Sequence, residues 1–98
     1  MRVGSFHWDS SNTVHIARHR VSTVEAEHVL RSSRKHVRRA RREAYVAYGR
    51  TADGRYLVVV FRAMEAGVIR VVTARDMEER EKAAYRKVVG SSEEDQDS

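Results

Sequence analysis

The sequence predicts one α+β domain, an antiparallel sheet with helices packed on one face. Three observations carry this. Ninety-eight residues leave room for one domain. Three runs rich in β-branched and aromatic residues, 43–50, 55–62 and 68–75, follow one another through turns of hairpin length. Ser22 and Asp76 each stand three residues ahead of a Glu, the spacing of a capping box at a helix start. Connections this short exclude a doubly wound parallel sheet, whose strands need long crossovers.

Taken in order, Arg2 to Trp8 reads as a short strand with Val3, Phe6 and Trp8 as apolar anchors. Asp9, Ser10, Ser11 and Asn12 are candidate caps for a helix of one or two turns carrying Val14, Ile16 and Ala17 and ending at Arg18-His19-Arg20. Ser22 and Glu25 open a second helix, with Val21 and Ala26 at staple spacing and Val29 and Leu30 on its buried face. Residues 31–42 hold seven cations, no acid and only two apolar residues, so they suit an edge strand or hairpin arm rather than a helix. Glu43–Arg50 is a strand, Asp53-Gly54 a hairpin turn, and Arg55–Arg62 a strand apolar on both faces, hence central. Glu65-Ala66-Gly67 turns the chain into the strand Val68–Arg75. Asp76 then caps a helix to about Val89, buried through Met77, Ala83, Ala84, Tyr85 and Val88, with Gly90 suited to the position after its end. Residues 1–90 are thus expected to form the domain and 91–98 a disordered acidic tail.

Composition narrows the function. The chain is 41% hydrophobic and 34% charged, and its apolar run Tyr56–Phe61 is far shorter than the roughly 18 residues of a membrane span. Cysteine is absent, which removes disulfides, thiolate nucleophiles and Cys-based zinc sites. With no secretory-type leader, the cytoplasm is the expected compartment. Nineteen cations, sixteen of them Arg, face fourteen acids, and four of those acids lie after Gly90. The first ninety residues therefore carry nineteen cations against ten acids, a charge of +9. Arginine forks match phosphate oxygens in pairs, so a polyanion is the first expected partner. An Arg-rich surface inherited from a G- and C-rich genome is the other reading.

Several residues suit phosphodiester chemistry. Cleavage by an attacking ribose 2′-hydroxyl needs a base, an acid for the leaving 5′-oxygen, and cations for the charge on phosphorus. His15 and His19, four apart on one helix face, offer imidazole beside Arg18 and Arg20; such a pair also suits zinc, although two ligands make no site, and surface histidines are the plain reading. Arg70 and Arg75 could stabilise the phosphorane, with Glu43 and Tyr85 as further proton carriers. Alternation sends Arg70 and Arg75 to opposite faces of their strand unless a bulge intervenes. Otherwise Arg75 would pair with Glu78 or Glu79, and Arg70 would lie over the sheet. Arg34, Lys35, Arg38, Arg39, Arg41 and Arg42 would track a phosphate backbone, or form a solvated arm. Only Tyr45 and Tyr48 stand near them for base stacking.

Phe6-His-Trp-Asp9, Arg18-His19 before Val21-Ser22, Glu25-Ala26, Glu43-Ala-Tyr-Val-Ala-Tyr-Gly49, Asp53-Gly-Arg55 and Ile69-Arg-Val-Val-Thr-Ala-Arg75 with Glu81 and Tyr85 together resemble the BrnT-type toxins, over residues 6–86. The resemblance implies a RelE-like fold and a metal-independent bacterial ribonuclease of a type II toxin–antitoxin pair. It transfers catalytic roles to His19, Arg70 and Arg75, and to Glu43, Glu81 and Tyr85. It also implies an antitoxin of the ribbon-helix-helix type and autoregulation of the operon. Two positions depart from the family: His15 replaces a common Asn, and Arg20 a common Gly, which implies a different exit from the first helix.

The expected function is therefore an endoribonuclease without cofactor. His19 would transfer protons, Arg75 would stabilise the transition state, and Arg18, Arg20 and the 31–42 stretch would dock RNA. A non-catalytic module binding nucleic acid or antitoxin, and a domain that only grips an acidic antitoxin segment, are the alternatives. A homo-dimer or toxin–antitoxin hetero-oligomer is the expected assembly.

Overall fold

The computed structural model describes residues 3–97, with side chains for residues 3–90. The chain runs β1 (Ser5–Phe6), α1 (Ser10–Ala17), α2 (Thr23–Arg31), β2 (His36–Arg39), β3 (Ala44–Arg50), β4 (Tyr56–Ala63), a 3-10 turn (Glu65–Gly67), β5 (Val68–Asp76) and α3 (Glu79–Asp97). The last helix thus passes Gly90 instead of ending there. The side chains of 91–98, on which the expectation of a disordered acidic tail falls, lie outside the described ones.

Local chemistry sets the helix starts. Asp9 caps α1 by accepting from the backbone N–H groups of Ser11 and Asn12, and Asn12 returns the bond through its Oδ1 to the Asp9 N–H. Ser22 and Glu25 form the expected reciprocal box on α2. The third helix corrects the sequence reading. Its first turn is closed by Glu81, whose Oε1 accepts from the Glu78 N–H at 2.7 Å, while Asp76 faces Arg55 instead. Asp76, the last residue of β5 and the partner of Leu57, is thereby freed to fasten the sheet.

The sheet order is β1-β5-β4-β3-β2, with β2 to β5 antiparallel as expected and β4 central. The N-terminal segment adds a fifth strand, parallel to β5, pairing Ser5 with Val68 and Phe6 with Ile69. Parallel pairing is open to it because α1 and the chain after it provide the long return path.

Alternation along the strands then gives two faces. One carries Ala47, Leu57, Val59, Phe61, Ile69, Val71 and Ala74, all buried beneath Ile16 of α1 and Ala26, Val29 and Leu30 of α2. The other carries Val46, Tyr48, Tyr56 and Val58, which meet Met77 and the Tyr85 and Val89 side chains of α3. Helices therefore cover both faces, not one as expected. The buried stripe of α3 is correspondingly narrow: Val88, Ala83 and Ala84 stay exposed.

Candidate active site

Phe61 pairs with Val71, but Val60 pairs with Thr73, so Val72 is an extra residue in β5. This bulge resets the alternation. Arg70, Thr73 and Arg75, opposite Arg62, Val60 and Val58, consequently share the α3 face. The obstacle that strand parity raised against a joint role for Arg70 and Arg75 is thereby removed.

Their surroundings differ. Arg75 donates twice to Glu81, at 2.8 and 3.0 Å, and once to the Asp76 carbonyl. The paired guanidinium holds the Glu81 carboxyl below its ordinary range, and Glu81 in turn raises Arg75. Neither Glu78 nor Glu79 takes the place beside Arg75 that the sequence suggested: Glu78 pairs with Arg80 and Glu79 with Lys82. Arg70 instead donates to Asp9 at 2.7 Å, and that bond drives the Asp9 carboxyl far below its ordinary range.

Between the β2–β3 edge and α3 lies a cleft of about 380 Å³ lined by His36, Arg38, Tyr48, Arg80, Glu81, Ala84, Tyr85 and Val88. His36 and Arg38 are two apart on β2, opposite Tyr48 and Val46, so both project onto this face. The His36 and Tyr48 rings lie 6.3 Å apart. Tyr85 forms the floor, 5% exposed, with its hydroxyl donating to the Arg34 carbonyl at 3.0 Å. Burial raises its phenol, which keeps the proton that makes this bond. Glu81 joins three tasks: it lines the cleft, caps α3 and anchors Arg75.

Of the residues expected from sequence, Arg38, Glu81 and Tyr85 meet in this cleft, with Arg75 behind Glu81. Arg70 and Glu43 line a second cavity on the same sheet face. Lys35 donates to the Ser32 carbonyl, and Arg39 lies over the ring of Tyr45 on the α1–α2 face. Arg41 and Arg42 are exposed on the β2–β3 turn. His19, Arg18 and Arg20 are not brought to Arg75. They follow α1, which packs on the opposite face through Ile16. There the His19 and His15 rings are 6.3 Å apart, and no group of three His, Asp or Glu able to hold a metal occurs among the described residues.

The segment around His19 serves the scaffold through its backbone. Arg55 donates to the carbonyls of His19 and Arg20 and to the carboxylates of Glu25 and Asp76. One guanidinium thus ties the α1–α2 junction to the ends of β4 and β5. Arg20 also corrects the expected helix exit: its φ is +59°, the left-handed conformation a Gly would take. The bonds from the Val21 N–H to the Ile16 carbonyl and from the Arg20 N–H to the Ala17 carbonyl complete a Schellman ending.

Sequence reasoning passed over His36 and Arg80. The signals for them were the two-residue spacing of His36 and Arg38 on an edge strand, and the position of Arg80 in the first turn of α3.

A protein-family model described as the ribonuclease toxin, BrnT, of type II toxin-antitoxin systems matches residues 8–81. The chain belongs to this family. Membership in the BrnT family makes it a ribonuclease toxin by kind and implies a cognate antitoxin. Its fold is similar to the crystal structure of the Brucella abortus ribonuclease toxin BrnT, with a TM-score of 0.62 and 18% identity over 76% of this chain and 97% of that one. No curated protein sequence matches the chain. No helix among its described residues is long and apolar enough to cross a membrane.

Proposed function

We propose that this BrnT-family chain is an endoribonuclease that cuts RNA in the cleft between β2, β3 and α3, without a metal ion. The observation that supports this best is the convergence of His36, Arg38 and Arg80 around one concave surface, with Glu81 fixed beneath by Arg75. The 2′-hydroxyl of the substrate attacks the adjacent phosphorus, forming the O2′–P bond as the P–O5′ bond breaks. His36 takes the hydroxyl proton, and water protonates the leaving 5′-oxygen, leaving a 2′,3′-cyclic phosphate and a 5′-hydroxyl. Arg38 and Arg80 supply the positive charge that grows in value as phosphorus gains a fifth oxygen. Arg75 is a positioning residue: its two hydrogen bonds to Glu81 hold the first turn of α3, and with it Arg80, against the sheet. Tyr48 offers a face for one base.

The antitoxin is proposed to be a ribbon-helix-helix protein, in keeping with the family motifs, and the toxin to act in the cytoplasm. The test is cleavage of a labelled RNA by the purified protein in excess chelator, with end-group analysis of the products. His36→Ala should lower the rate by about 10²-fold or more, while His19→Ala retains it. A rate that falls with His19→Ala and not with His36→Ala would move the chemistry to the other face. No cleavage by the unaltered protein would favour the binding module. Loss of cleavage in chelator alone would refute metal independence.

A further inference from the structure

A second cavity, of about 550 Å³, opens on the α3 face of the sheet, lined by His7, Glu43, Arg62, Ala63, Met64, Glu65, Val68 and Arg70. Arg62 and Arg70 are direct cross-strand partners there. Like charges opposite each other destabilise a sheet, so the pair needs an anion to offset it. Of the two arginines Asp9 pairs with Arg70, and its carboxylate also lies 3.4 Å from Nε2 of His7. Arg62 has no carboxylate within ion-pairing distance among the described residues; its Nη1 donates to the Arg42 carbonyl at 2.7 Å. That carbonyl belongs to a strained turn. Arg42 and Glu43 both have positive φ, +56° and +61°, and the Ala44 N–H closes the turn onto the Arg41 carbonyl. Asn-Gly is the pair that takes two successive positive φ values at least cost. Here an arginine occupies it, and its carbonyl orients the guanidinium of a second.

We propose that this cavity is a phosphate subsite, in which the free edge of Arg62, beside Arg70, holds a backbone phosphate of the same RNA strand that is cut in the cleft. The proposal rests on the endoribonuclease reading for its substrate. Both sites share one sheet face. Along β4, Arg62 is four residues from Val58, whose row carries His36 and Tyr48. That is roughly 13 Å of strand, a distance an extended single strand bridges. The subsite would fix the position of the chain relative to the cleft and make longer RNA a better substrate than a dinucleotide.

The test reads binding apart from cleavage. A fully 2′-O-methylated 12-mer keeps every phosphate and lacks the attacking hydroxyl, so its affinity is independent of catalysis. Arg62→Ala should weaken it about tenfold and reduce the log–log salt slope by about 0.7, one phosphate contact on a single strand. Arg62→Lys should restore the slope without restoring full affinity, because a point charge replaces a fork. Arg62 is exposed and opposes a like charge, so a melting temperature no lower than that of the unaltered protein is expected and confirms folding in each variant. With cleavable RNA, the 12-mer-to-dinucleotide ratio of kcat/KM should fall about tenfold in Arg62→Ala. An unchanged affinity and slope would overturn the subsite, including where the same variant loses affinity for polyglutamate, as a site for an acidic polypeptide would. If the unaltered protein binds the 12-mer but cleaves no RNA, the catalytic reading fails while the binding measurement still decides the subsite.

Discussion

Arg20 occupies a conformation that costs an L-residue about 1–2 kcal/mol and costs glycine almost nothing. The Schellman bonds around it need only its backbone, and its carbonyl still accepts from Arg55 when the side chain is gone. Arg20→Gly should therefore stabilise the protein by about 1 kcal/mol, raising its melting temperature by about 4–8 °C. A lowered melting temperature would mean that the Arg20 side chain, not its backbone, holds the junction. Acidic residues at the other joints set the response to pH. Arg70 lowers the Asp9 carboxyl, Arg75 lowers Glu81, Arg55 lowers Asp76, and the Ser22 N–H lowers Glu25. Carboxyls depressed on folding contribute stability above their unfolded values, and lose it as pH falls through the folded ones. With ordinary values of 3.8 and 4.5, the melting temperature should stay level from pH 7 to about pH 5 and then drop steadily under acid. Glu81→Gln should make the drop shallower. At this scale the sequence was legible where an interaction is local: both residues of the Ser22–Glu25 box were identified from spacing alone. It was silent on Arg55, whose four partners come from three separate segments.

Elements meet where the side chains allow close approach, and Gly49 marks the tightest place. A Cβ added there would stand 2.9 Å from Cγ1 of Val29, so α2 lies directly against the β3 backbone. Gly49→Ala should cost about 1–3 kcal/mol through overpacking. The pair Gly49→Ala with Val29→Ala should cost less than the sum of the two single changes, which a double-mutant cycle in denaturant measures. Additive costs would show that α2 shifts freely away from the sheet. Strands and helix starts were largely evident in the sequence, because alternation and capping are written in neighbouring residues. Which side of the sheet each helix takes was not. An apolar stripe on α3 says that something covers it, and Val58, in a strand apolar on both sides, serves either arrangement equally well. The Val72 bulge was foreseeable only as a condition, since nothing in the local residues distinguishes a regular strand from one with an added residue.

Across the whole molecule the positive charge is divided by the sheet into two populations. Arg38, Arg62, Arg70 and Arg75 are on the α3 face, while Arg18, Arg20 and Arg55 belong to the α1–α2 side or its joint. If Arg38, Arg80, Arg62 and Arg70 each meet a phosphate, the affinity for single-stranded RNA should fall with salt at a log–log slope of about −3. A slope near zero, measured by anisotropy from 50 mM to 300 mM salt, would rule out the face as an RNA surface. Composition suggested a polyanion partner without locating its surface; both His19 and His36 stand among cations in sequence, but only His36 shares a cleft with Arg38 and Arg80. The pairing of β1 with β5 adds a consequence in time. Ser5 and Phe6 find their strand partners only at Val68 and Ile69, and the cleft takes one wall from β2 and the other from α3. During synthesis, β1 is made well before the strand it pairs with, and the whole of α1 to β4 is made in between. A nascent chain carries His36 and Arg38 well before α3 supplies Arg80 and Glu81, so the cleft proposed to bind RNA can form only after that helix is made.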